Sequence, residues 1–186
     1  SPTQKGSKER ATELYDEALF KDPRPREDCP ICMLPLPIER GEATFESCCG
    51  KVICNGCNFA MVKEATLKSK DAMSKGKIGA CAFCRTPVPS SDKEAIERIR
   101  ELVKSDNAEA YYSLGGVYER GVMGVSQDRA KARELYQRAG ELGCADAYFN
   151  LAVDYNNGHA ANDKNKKKAR HFYELAAIEW RCTGKA

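Results

Sequence analysis

Cysteine placement constrains this chain more than any other feature: eight of the ten cysteines fall between Cys29 and Cys84, and only Cys144 and Cys182 lie outside. Six of the eight form C-x2-C pairs, Cys29/Cys32, Cys54/Cys57 and Cys81/Cys84, and Cys48 stands beside Cys49. Thiols this dense are either a disulfide framework in an oxidising compartment or thiolates on metal in a reducing one. Each C-x2-C pair suits two thiolates reaching one ion from a tight turn, so the spacing favours metal. No histidine lies within the span, since His159 and His171 come later, and a two-histidine zinc finger is therefore excluded. Two four-coordinate zinc ions need eight ligands, which is the number of cysteines present.

The rest of the composition narrows the class. The N-terminus, Ser-Pro-Thr-Gln-Lys-Gly-Ser-Lys, has no apolar segment of the secretory kind, and no run of 18 apolar residues occurs. The expectation is a soluble intracellular protein, cytoplasmic or nuclear, with no membrane partner. A formal charge of +3 points weakly toward nucleic acid. Eight zinc-bound thiolates and two zinc ions lower that charge to about −1. The run Lys164, Lys166, Lys167, Lys168 and Arg170 reads as the wet face of a helix, with no aromatic interleaving for base stacking. No nucleic-acid partner is expected.

Helical spacing of Ala11, Leu14, Tyr15, Ala18 and Leu19 predicts a helix over 8–20, ended by Pro23 and Pro25. Within the cysteine block, Thr44–Glu46 and Lys51–Ile53 read as short strands and 58–69 as a helix. Beyond Pro89, Ser91 and Glu94 form a capping-box pattern ahead of Ile96, Ile99, Leu102 and Val103, which predicts an amphipathic helix over 92–104. From residue 107 the chain repeats itself. Eleven identities recur at an offset of 37 residues, among them Ala108/Ala145, Ala110/Ala147, Tyr111/Tyr148, Leu114/Leu151, Tyr118/Tyr155, Gly121/Gly158, Arg133/Arg170 and Tyr136/Tyr173. A period in the thirties with small and aromatic residues at fixed points signals stacked helical hairpins.

On Tyr111-x-x-Leu114-Gly-x-x-Tyr118-x-x-Gly121, residues 107 to about 180 resemble the Sel-one-like repeats, relatives of the tetratricopeptide repeats. The second unit departs at Ala152, where the pattern has glycine. On Cys29-Pro-Ile-Cys32, Cys49-Gly-Lys-Val-Ile-Cys54-Asn-Gly-Cys57 and Cys81-Ala-Phe-Cys84-Arg-Thr-Pro87, residues 28–89 resemble a RING finger. The joined pair resembles RING-repeat proteins of diatoms and related algae. Lys51 stands where that family has histidine, so Cys48 is expected to complete an all-cysteine variant, with Glu46 or a water as the alternative eighth ligand.

The resemblance implies a cross-brace, with Cys29, Cys32, Cys54 and Cys57 on one structural zinc and Cys48, Cys49, Cys81 and Cys84 on the other. It implies a fold of two parts: a small zinc-stabilised α+β RING module, then an all-α helical-hairpin solenoid. The expected divisions are 1–27, an N-terminal helix and proline-rich linker; 28–89, the zinc module; 90–106, a linker helix; and 107–186, two repeats at 107–143 and 144–180 with a tail. It further implies a ubiquitin ligase that acts without a covalent intermediate, binding a ubiquitin-conjugating enzyme and ubiquitin through Ile31, Met61, Phe83, Arg85 and Pro87. The repeats would hold a protein partner. The competing expectation is a non-enzymatic adaptor in which both parts only bind proteins.

Overall fold

The computed structural model describes residues 27–37, 40–68, 80–158 and 165–182. The helix expected over 8–20 lies outside them.

A 3-10 turn, Arg40–Glu42, leads into an antiparallel hairpin of β1 (Ala43–Glu46) and β2 (Lys51–Cys54), paired from Ala43↔Cys54 to Glu46↔Lys51. Each strand is one residue longer than expected from sequence. Helix α1 (Asn55–Lys68) follows with no intervening loop and starts three residues before the expected point. The reason is local: Asn55 Nδ2 donates to Gly41 O at 2.6 Å and Asn55 Oδ1 accepts from the Thr44 hydroxyl at 2.8 Å, tying the helix start to the hairpin. A small core of Cys29, Leu36, Ile53 and Ala82 lies beneath, with Val52 and Met61 packed on it.

Helix α2 (Asp92–Lys104) begins at Ser91, whose hydroxyl accepts from the Glu94 amide at 3.3 Å. The reciprocal half of the expected capping box is displaced by one residue. Glu94 Oε2 accepts from the amide and hydroxyl of Ser90, at 2.8 and 2.9 Å, while its other oxygen pairs with Arg98 one turn on at 2.5 Å. Those donors hold the Glu94 carboxyl below its ordinary range. Ile96 and Ile99 are buried, so α2 is an added packing layer on the repeats as well as a connector.

Two helical hairpins complete the chain: α3 (Ala108–Arg120) with α4 (Arg129–Glu141), and α5 (Ala145–Asn157) with α6 (Lys166–Cys182). Gly121 and Gly158 end the first helix of each hairpin at φ of 64° and 76°, the left-handed region where a side chain is costly. One core runs through both hairpins, built from Leu114, Tyr118, Tyr136, Tyr148 and Leu151, with alanines letting the helices approach. No helix among the described residues is long and apolar enough to cross a membrane.

One difference between the hairpins lies at Gly115. In the first, Gly115 lies under the Tyr136 ring, which is 4% exposed and donates its hydroxyl to Glu119 Oε2 at 2.7 Å. A Cβ on Gly115 would lie 2.7 Å from that ring. In the second, Ala152 already carries that methyl, and the equivalent Tyr173 is 37% exposed, edge-on to Phe149 at 5.7 Å. We expect Gly115→Ala to destabilise the chain by about 1 kcal/mol in urea denaturation, because an overpacking cost of about 1–3 kcal/mol exceeds the helix-propensity gain of about 1 kcal/mol.

Candidate metal centre and repeat surface

The first and last C-x2-C pairs fold into the same turn. Cys29 N donates to Leu34 O and Met33 N to Cys29 O, at 2.8 and 2.9 Å; Cys81 N donates to Thr86 O and Arg85 N to Cys81 O, at 2.8 and 3.0 Å. The residue after each second cysteine takes a left-handed conformation, Met33 at φ 58° and Arg85 at φ 63°. That geometry turns the chain back so that amides face sulfur, as Phe83 N and Cys84 N do toward Cys81 Sγ at 3.4 and 3.5 Å. The middle pairs come from the hairpin. Cys48 and Cys49 lie in the β1–β2 turn, closed by Gly50 N donating to Glu46 O at 2.8 Å, while Cys54 ends β2 and Cys57 lies in the first turn of α1.

These segments bring the eight sulfurs into two groups, Cys29, Cys32, Cys54 and Cys57 in one and Cys48, Cys49, Cys81 and Cys84 in the other, with all ligand atoms of a group within 4.8 Å of one another. Each group could hold a metal ion. Four thiolates around zinc at about 2.3 Å place their sulfurs about 3.8 Å apart. Cys32 and Cys54 are 3.8 Å apart, as are Cys49 and Cys81, while Cys48 and Cys84 are closer at 3.3 Å. Glu46, the rival to Cys48, is 4.0 Å from the Cys48 sulfur and is not a member of the group. An all-thiolate donor set is compatible with zinc and leaves no coordination position for water.

Without the cation, the thiols titrate against one another. Burial raises Cys29, but the amides of Cys32, Cys54 and Ile31 outweigh it and hold the thiol at about 6; the Thr86 hydroxyl and amide bring Cys84 to about 6. Burial and the neighbouring sulfurs push Cys49 up to about 11 and Cys57 up to about 12, and drive Cys48 upward as well. A divalent ion removes this mutual repulsion.

Ile31 and Phe83, the third residues of their C-x2-C turns, are 38% and 46% exposed, and Arg85 and Pro87 are exposed beside them in sequence. Met61 differs: it is half-buried against the small core, and the large apolar side chains exposed on α1, among those described, are Phe59 and Val62. Thr86, which contacts Cys84 Sγ at 3.1 Å, was not marked by any spacing rule. Cys144 is buried, with its sulfur 3.7 Å from Glu109 Oε1, and Lys166, Lys167 and Lys168 are exposed on α6.

The cysteine module touches the helices at its ligand-bearing loops. Asn107 Nδ2 donates to Gly50 O at 3.2 Å, while its Oδ1 accepts from Ala110 N at 2.9 Å and caps α3. Arg98 Nη1 donates to Pro87 O at 2.7 Å, and Phe45 of β1 packs on the repeat core.

The architecture is thus a cysteine-rich candidate metal module joined to helical hairpins. Residues 108–144 and 145–178 match the family model of the Sel1 repeat, which suggests a protein-interaction role for this part. Among solved structures, a Sel1 repeat protein from Oxalobacter formigenes is 28% identical at a TM-score of 0.43, over 46% of this chain and 34% of that one. The chain therefore spans about a third of that protein's length. No curated protein matches it.

Two zinc ions per chain are the expected result of native mass spectrometry, falling to one in Cys29→Ser or Cys48→Ser. Loading must release protons from Cys48, Cys49 and Cys57, whose thiols lie above the ordinary range. Apparent zinc affinity should therefore rise from about pH 6 to about pH 8, as read by competition with a chromophoric chelator. Asn107→Ala removes a helix cap and the link to Gly50 together, and should cost about 1–2 kcal/mol in thermal unfolding.

Proposed function

We propose that this chain is a RING-type ubiquitin ligase. In this reading both cysteine groups hold structural zinc, residues 28–89 are the cross-brace of a RING module, and the Sel1 repeats hold a protein partner or substrate. The observation that carries it is the interleaving of the two cysteine groups, Cys29/Cys32 with Cys54/Cys57 and Cys48/Cys49 with Cys81/Cys84. Each metal then closes a loop that passes through the other site, and the turns so fixed expose Ile31, Phe83 and Arg85.

The chemistry asks little of the chain itself. A ubiquitin-conjugating enzyme brings ubiquitin as a thioester, and a lysine amine attacks that carbonyl and releases the enzyme's thiol. Ile31 and Phe83 offer apolar contacts to the conjugating enzyme, with part of Met61 and the ring of Pro87 beside them in the proposal. Arg85 has five donors in a planar fork, which can bridge carbonyls of the conjugating enzyme and ubiquitin and hold the thioester in a reactive conformation. No side chain of the cysteine module forms a covalent intermediate with ubiquitin in this reading, and the zinc would supply shape.

A second reading, a non-enzymatic adaptor, is favoured by the half-burial of Met61, which leaves less of an anchor than the tryptophan common at that place in RING ligases. Autoubiquitination with a panel of conjugating enzymes separates the two. The ligase reading expects polyubiquitin chains with at least one enzyme, and a loss of about tenfold or more in each of Ile31→Ala and Arg85→Ala. Inactivity throughout the panel in a chain carrying both zinc ions would establish the adaptor; activity untouched by both substitutions would remove the proposed contact surface.

A further inference from the structure

The two hairpins carry equivalent faces, and one of them is covered. On the first hairpin, α5 packs across α4 so closely that a Cβ on Gly140 would lie 2.4 Å from the Tyr148 ring. Asn150 Nδ2 donates to the Tyr112 hydroxyl at 3.3 Å, and Arg133 reaches Asp154 at 3.3 Å with the two side chains 24% and 14% exposed. Advancing 37 residues gives the same face on the second hairpin: Phe149 for Tyr112, Arg170 for Arg133, Tyr173 for Tyr136 and Ala177 for Gly140. Here Phe149 and Tyr173 are 38% and 37% exposed, and Arg170 is 83% exposed, paired along its own helix with Glu174 at 2.7 Å. Arg170, Tyr173 and Ala177 border an open groove with Asn156, Lys166 and Glu174, and Phe149 meets Tyr173 edge-on at 5.7 Å.

We infer that this groove docks an amphipathic α-helix of a partner protein, one that lays small apolar side chains on Tyr173 and Ala177 and brings a carboxylate to Arg170. Helix α5 is the template, because it fills the equivalent place on the first hairpin. Its ring at Tyr148 is followed six residues later by Asp154, the partner of Arg133. The new face modifies the template in two ways. Ala177 puts a methyl where Gly140 admits the Tyr148 ring, so the incoming side chain must be smaller than tyrosine. Phe149 lacks the hydroxyl that Asn150 serves at Tyr112, so no amide is needed there and the contact is apolar. Lys166 beside Arg170 reinforces the preference for an acidic residue. A second copy of this chain would have to offer its α3 head to tail, but α2 already packs on that helix through Ile96 and Ile99.

This site deepens the partner-binding reading of the repeats and rests on it. The probe is a fluorescein-labelled, hydrocarbon-stapled peptide of Ala145–Asn157 carrying Tyr148→Leu, titrated with the full chain and followed by anisotropy. Saturable binding is expected, weakened about tenfold or more by Arg170→Glu in the protein. A peptide that also carries Asp154→Lys should regain affinity for the Arg170→Glu chain and lose it for the wild type. Arg170 is largely exposed, so the variant should keep its helical circular dichroism. No binding to the wild-type chain, equal binding to both proteins, or failure of the charge swap would overturn the inference. A dimer in light scattering that Arg170→Glu disperses would give the groove to a second copy instead and equally overturn it. Autoubiquitination reads the zinc module alone, so a failed titration leaves that result standing and the converse.

Discussion

Eight thiols held in two groups, each within 4.8 Å, are the interaction on which the first half of the chain depends. The apolar core beneath them is Cys29, Leu36, Ile53 and Ala82, of which only Leu36 and Ile53 are large aliphatic side chains. Burial of such a side chain contributes about 1.5–3 kcal/mol, whereas fixing one residue's backbone costs about 1–2 kcal/mol. Hydrophobic burial among the described residues is therefore small beside the ordering cost. Structural zinc, at about 10–16 kcal/mol per ion in small zinc-dependent folds, would be a term of adequate size if both groups hold it. The left-handed residues Met33 and Arg85 follow from the same requirement, because the chain must reverse immediately after the second cysteine for amides to face sulfur.

The spacing of cysteines marks the ligand-bearing segments, but four pairs can be divided into two sets of four in three ways, and the choice among them comes from the RING resemblance. The repeat was legible for a different reason: eleven identities at one offset leave no freedom in where the helices begin and turn. What the sequence hid was governed by contacts between segments distant along the chain. The helix is expected from residue 58, yet the hydrogen bonds of Asn55 to Gly41 and Thr44 make that position the start of α1. Glu94 read as the partner of its own cap residue, but the competing pull of Arg98 and the two donors of Ser90 turn it one residue away. Met61 is marked as a surface contact by the RING resemblance, and its half-burial comes from the small core that the cysteine loops enclose.

The two hairpins differ in what covers them. Tyr136 lies over Gly115 and 5.5 Å from Tyr112, and is buried; Tyr173 keeps the equivalent neighbour, Phe149, at 5.7 Å but is 37% exposed. Equivalent positions thus form a covered surface in one copy and an exposed aromatic edge in the other. The exposed copy is also the terminal one among the described residues, the place where a stacking repeat surface meets whatever comes next.

The junction between the halves gives these surfaces a fixed relation. Gly50 follows directly on Cys49, and its carbonyl is held by Asn107, the residue that also starts α3. Gly50 has φ of 68°, and a Cβ there would come within 2.7 Å of the Asn107 amide nitrogen, so both its conformation and the close approach call for glycine. On the other side of the same metal site, the Pro87 carbonyl three residues after Cys84 is held by Arg98 of α2. Both loops that carry the second cysteine group therefore end on helices, and Phe45 adds an apolar contact between them. Occupation of that site by metal would fix the loops, and through them the direction in which α3 to α6 extend. In the proposed ligase this would matter more than affinity. Transfer would require a substrate lysine to meet a thioester held at Ile31, Phe83 and Arg85, and a stiff joint would turn partner binding at the repeats into a defined distance from that point.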